Sequence, residues 1–220
     1  MLSITPDQAV KTALSAARIG TYEAATQGNP NLPSALALYA WNAQVAAAML
    51  APLHLCEVVI RNAVSDAIAL VYGPQWAWSA GFLQSLPNPA KGYNPRQDLL
   101  SARTGKTTVG KVIPELKFVF WQTLFTQRFD QRLWNPHLAT VLPHLNGSQT
   151  TPQLRGLIYT ELEQLRKLRN RIAHHEPIFK RNLADDLQKA HDLIAFRCPI
   201  TASWMTSNQQ AASLIASKPA

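Results

Sequence analysis

Residues 151 to 179, TPQLRGLIYTELEQLRKLRNRIAHHEPIF, decide how the rest of the chain is read. Leu154, Leu157, Ile158, Leu162, Leu165, Leu168 and Ile172 recur at steps of three and four, the spacing of one apolar stripe along a helix. Gly147 in the preceding LNGSQTTP is a terminator, Thr151 reads as the N-cap, and Pro152 suits the first helical position. The helix must stop before Pro177, since the residue ahead of a proline is pushed out of helical geometry. Its last turns gather Arg169, Asn170, Arg171, His174, His175 and Glu176. Either these residues face water at an ordinary helix end, or they handle protons and negative charge at a site.

Outward from this helix, the chain reads as helical nearly throughout. A short amphipathic helix is predicted at 3–18, NPNLP at 29–33 is a break, and an Ala-rich segment runs to Gly73-Pro74 with a kink or short break near Pro52. LPNPAKGYNP marks surface loop, and helices are predicted at 95–103, 108–127 and 136–143, the second carrying LKFVFWQTLF. A last helix at about 181–196 packs beside the long one through Leu183, Leu187 and Leu193. No alternating run is long enough to build a sheet, so the fold class is all-α: a single-domain helical bundle at 31–197, an N-terminal helix and linker at 1–30, and a C-terminal tail at 198–220 with room for a short helix.

Composition narrows the setting. The 220 residues are 47% hydrophobic, enough to bury a core. MLSITPDQAVKTALSAARIG has no apolar region behind a basic start, so no secretory signal is expected. Cys56 and Cys198 stand far apart, which fits a reducing cytoplasm and no zinc or redox motif. Leu32 to Cys56 carries no formal charge and is long enough to span a membrane. Its alanines, with Asn42, Gln44, Pro52 and His54, fit a buried soluble helix better, and no membrane partner is expected.

The net charge of +8 is unevenly spread: residues 1–90 hold three Lys/Arg against four Asp/Glu, and residues 91–220 hold eighteen against nine. Lys91, Arg96, Arg103, Lys106, Lys111 and Lys117 form one basic group; Arg155, Arg166, Lys167, Arg169, Arg171, Lys180 and Arg181 form another. Such clustering is the footprint of a polyanion partner, most simply RNA, although basic residues also serve merely to keep a helical surface soluble.

Several chemistries fail on spacing. ARTGKTT ends like a phosphate-binding Walker loop, but Leu100 stands where that motif needs its first glycine. HHEP is not a zincin motif, because Phe179 occupies the second histidine position, and there is no G-x-S-x-G elbow. No cofactor and no metal is called for. What remains is the cluster of Arg and His. On an ideal helix Arg169 and His174 lie about 140° apart around the axis and roughly 7.5 Å along it, so they converge only if the helix end frays. An Arg fork matched to phosphate and an imidazole titrating near neutrality are what a ribonuclease without metal requires. The same residues also suit a plain helix end, its histidines stabilising the negative pole.

RNRIAHHEPIF resembles the signature of the Abi-like family, the abortive-infection proteins of the HEPN superfamily of helical nucleases and nucleotide-binding domains. LHLCEVVIRNAV, YGPQWAW and GKVIPELKFVFWQTLF are similar to upstream segments of that family, so the resemblance covers most of residues 36–196. It implies an endoribonuclease whose composite site is built across a homodimer, with His174 as general acid or base, Arg169 on the scissile phosphate and Asn170 holding the constellation. His175 competes for the catalytic role, because the family spacing varies by a residue or two. Arg166, Lys167, Arg171, Lys180 and Arg181 would bind RNA, while Glu57 and Arg61, one turn apart, read as a structural pair or as support for the site. An inhibitory RNA or a protein antitoxin is a further partner the resemblance implies. The alternative class is a non-catalytic module that uses the same basic helix to hold RNA.

Overall fold

The computed structural model of the protein describes residues 5–26 and 34–219, and every regular element among them is helical. Helices α1 (Pro6–Leu14) and α2 (Ala16–Thr26) replace the single helix predicted at 3–18. Ser15 is the reason: at φ 71° it is left-handed, and its N–H returns to the Thr12 carbonyl to close α1. Residues 3 and 4 and the break predicted at 29–33 lie outside the described residues.

Helix α3 (Ala35–Tyr72) is the spine of the fold. The Ser34 hydroxyl accepts the Ala37 N–H to start it, and Gly73 at φ 84° ends it. The helix runs on through Pro52 without the break predicted there. Pro52 lacks an N–H for the Ala48 carbonyl, but it is buried, and α3 is packed along its length by other helices that hold its two halves in line. By length and hydropathy α3 meets the requirement of a membrane span. In this structure its buried residues, from Ala35 to Ile68, form the centre of one continuous core.

The middle of the chain is short and irregular: α4 (Ala80–Ser85), α5 (Pro95–Arg103), α6 (Val109–Val112), α7 (Phe118–Thr123) and α8 (Asn135–Val141). The helix predicted at 108–127 is broken into α6, a tight turn at Ile113–Glu115, and α7. Pro114 cannot continue a helix, and buried Asp98 draws the Lys117 N–H away at 3.4 Å while also accepting the Tyr93 hydroxyl at 2.7 Å. Aromatic side chains fill this region, with Phe125 stacked on Trp134 at 4.4 Å and Trp76 edge-on to both Phe82 and Trp121.

Helix α9 (Thr151–Ala173) carries the apolar stripe. Six of its seven residues are buried, each contributing about 1.5–3 kcal/mol, while Leu157 stays 38% exposed at the edge. The cap sits one residue earlier than predicted: Gln153 Oε1 accepts the N–H and hydroxyl of Thr150, both at 2.9 Å, and Pro152 is the second helical residue. Helix α10 (Leu183–Arg197) lies against α3 and α9, and the tail forms two helices, α11 (Pro199–Ser207) and α12 (Ala211–Ala216). The tail joins the core through Ala202, Met205 and Ala211, and Trp41 Nε1 donates to the Leu214 carbonyl at 2.7 Å.

Candidate active site

The end of α9 is a Schellman turn. The N–H of His175 bonds the Ile172 carbonyl at 3.0 Å and the N–H of Glu176 bonds the Arg171 carbonyl at 2.8 Å. The left-handed position in such a turn is usually glycine; here it is His175, at φ 55°. His174, the last half-helical residue, has φ −92° and hands its N–H to the Asn170 carbonyl. The two adjacent histidines therefore leave the helix in different directions.

Three groups hold the turn. Arg171 bonds the Pro177 carbonyl at 2.9 Å and pairs with Glu176 at 3.3 Å. Arg18, from α2, donates Nη1 to the His175 carbonyl. Asn42, buried on α3, accepts the N–H groups of Ile178 and Phe179 at 2.8 and 3.1 Å, satisfying a stretch of backbone that has left the helix. The rings of Tyr22 and Phe179, 5.1 Å apart, pack α2 against the same segment.

This turn walls one side of a cleft of about 660 Å³ between α2, α3 and α9. Arg169 and His175 both line it, as do Arg18, Tyr39 and Asn42, over a floor of Ala43, Ala46 and Ala47. His174 is exposed and does not line the cleft, nor does half-buried Asn170. Arg169 is exposed and has no acidic partner among the described residues. Burial raises the Tyr22 hydroxyl above its ordinary range, helped by Tyr39 and opposed by the Arg18 charge.

The other sequence-selected cations are mostly committed elsewhere. Arg166 Nε donates to Gln122 at 2.7 Å, and Arg181 grips buried Asp186 through two hydrogen bonds of 3.0 and 2.6 Å. Lys167 pairs with Glu163 at 3.1 Å on the surface, and Lys180 lies 5.8 Å from the centre of the Phe179 ring. Glu57 and Arg61 form an i,i+4 pair at 3.8 Å. Neither lines the cleft, and Glu57 is seven residues past Leu50, the last α3 residue there, about 10 Å along the axis. No group of three or more His, Cys, Asp or Glu converges as a metal site among the described residues.

Sequence reasoning singled out neither Asn42 nor Arg18 for the site. Asn42 did carry a signal, since a polar residue in a long uncharged apolar run needs a buried partner. Arg18 carried none: it stands 157 positions from the carbonyl it holds. No protein-family model matches the chain, and no curated protein or solved structure shows significant similarity to it.

Proposed function

We propose that the protein is an endoribonuclease of the HEPN type, of the Abi-like kind that acts in phage defence, working in the cytoplasm as a homodimer and restrained by an inhibitory RNA or protein. The observation that carries this reading is the left-handed His175, which brings an imidazole into the same cleft as an unpaired Arg169. Strained backbone of this kind costs on the order of 1–3 kcal/mol and collects at functional sites. The proton-handling role, expected for His174 from the resemblance, passes in this reading to His175.

In the reaction the ribose 2′-oxygen attacks the adjacent phosphorus while its proton passes to a neutral imidazole. The bond from phosphorus to the 5′-oxygen breaks, and that oxygen takes a proton from a protonated imidazole. The products are a 2′,3′-cyclic phosphate and a 5′-hydroxyl end. Arg169 supplies a fixed positive fork for the charge that builds on the non-bridging oxygens. In a homodimer the second imidazole comes from the facing copy, and exposed His174 is available for that position.

The test is to incubate the purified protein with mixed RNA in EDTA and map the ends. His175→Ala should slow cleavage by about 10² to 10⁴-fold with little change in RNA affinity, and Arg169→Ala should damage both. If His174→Ala is the damaging variant and His175→Ala is not, the other imidazole does the chemistry. Full cleavage by the double histidine variant would end the ribonuclease reading and leave that of an RNA-binding module.

A further inference from the structure

The cleft contains a second guanidinium, from a part of the chain that the resemblance does not reach. Arg18, from α2, lines it beside the end of α9, and the carboxylate that lines the same cleft is already taken, Glu176 pairing with Arg171 at 3.3 Å. One of its five donors is spent on the His175 carbonyl. Two guanidinium groups with no ion-pair partner among the described residues therefore share one concave site, and the carboxylate that also lines it, Glu176, is engaged by Arg171, so the cleft keeps a net positive charge that an anion would offset. Between α2 and α9 the cleft is lined by the uncharged α3 residues Ala43, Ala46 and Ala47 and by Tyr39, small and aromatic side chains suited to the face of a base.

We propose that Arg18 is the second phosphate-binding residue of the cleft and the positioning residue of His175, so that the site takes two phosphates of a single RNA strand with a base laid on the alanine floor. The choice of RNA as the ligand rests on the ribonuclease reading; the two-arginine anion site does not. The N-terminal helix pair is then part of the site: Ser15 closes α1 at φ 71°, the Arg18 N–H bonds the Ser15 hydroxyl at 3.4 Å, and Tyr22 seats α2 against Tyr39 and Phe179. A bidentate fork fits phosphate oxygens, and a lysine in its place would keep the charge but not the planar fork that fixes the His175 carbonyl and a phosphate in one geometry.

The experiment uses the full chain and a short fluorescent oligouridylate with 2′-O-methyl riboses, which 2′-oxygen attack cannot cut. Binding is read by anisotropy across a salt series, and the His175 imidazole by its NMR signals in the free protein. Arg18→Ala should weaken binding at least tenfold, flatten the log–log salt dependence by about 0.7, the share of one phosphate, and move the His175 signals. Arg18→Lys should keep the salt dependence yet still move those signals, and with cleavable RNA it should lower kcat more than it raises KM. It also serves as the control if the alanine variant loosens α1 and α2. Parent-like affinity, salt dependence and His175 signals in both variants would overturn the proposal. A parent that binds in an Arg18-dependent way but never cuts RNA would instead end the ribonuclease reading and leave the anion site standing.

Discussion

His175 and Ser15 are the two non-glycine residues of positive φ among the described residues, and only His175 lines the cleft. A side chain in the left-handed region costs about 1–2 kcal/mol, and three partners on three different elements, Arg18, Asn42 and Arg171, hold the turn around it. His175→Gly relieves that strain while adding freedom to the unfolded chain worth about 0.4–1 kcal/mol. The net expectation is a variant as stable as the parent or up to about 1.5 kcal/mol more stable in urea unfolding, with RNA cleavage abolished. His174→Gly, at an ordinary φ of −92°, gains no such relief and should be less stable than the parent. A His175→Gly variant destabilised by about 1 kcal/mol or more would show that the imidazole is there to hold the fold. Which of the adjacent histidines lines the cleft was beyond the sequence, because it depends on which one leaves the helix left-handed, and the turn is held there by Arg18 and Asn42 far away in the chain.

At the scale of elements, the α9–α10 contact holds a carboxyl group in an unfavourable place. Glu161 on α9 has a buried Oε2 with no hydrogen-bond partner, and its pKa rises from 4.5 to about 7. Burial is the main cause, Asp192 adds to it, Lys189 opposes it and Asp185 adds a little. Lys189, the cation that could relieve it, is paired with Asp185. Because the folded state holds this proton more tightly than the unfolded chain, the contribution is fully present below about pH 4.5 and is lost as pH rises towards 7. Glu161→Gln should therefore flatten the fall in stability across that window and gain on the order of 1 kcal/mol at about pH 8, a figure reduced for its partial exposure. Denaturation midpoints taken at unit steps from about pH 5 to about pH 8 test this, and a parallel shift at every pH would place the cause elsewhere. Helix α9 itself was legible because its stripe is a local, periodic property. The 108–127 segment was only half legible, since Pro114 marks a break in the sequence itself but Asp98, a residue from α5, takes the Lys117 N–H just before α7. The tail helices were equally hidden, as their anchor is the Trp41 indole, 173 residues away from the carbonyl it holds.

For the whole molecule, the charge distribution along the sequence points to steep salt dependence, whereas the folded charges point to a shallower one. Of the second basic group, Arg155 is paired with Asp130, Arg171 with Glu176, Arg181 with Asp186 and Lys167 with Glu163, while Arg166 holds Gln122. In the first group Lys106 and Lys117 are paired with Glu115 and Asp98. A phosphate can displace an exposed partner, but it cannot draw Arg181 or Arg155 from carboxylates as buried as Asp186 and Asp130 without leaving those charges uncompensated. The cations that line the cleft with no ion-pair partner among the described residues are Arg18 and Arg169. At about 0.7 for each phosphate bound on a single strand, the slope of log affinity against log salt should lie near about −1.4, and near about −2 if Lys180 joins. A slope of about −4 or steeper would mean that the surface ion pairs open to RNA and that binding spreads over α9 and α10. In that case charge reversal at Lys167 would weaken binding as much as Arg169→Ala does, and the cleft would be one phosphate site among many.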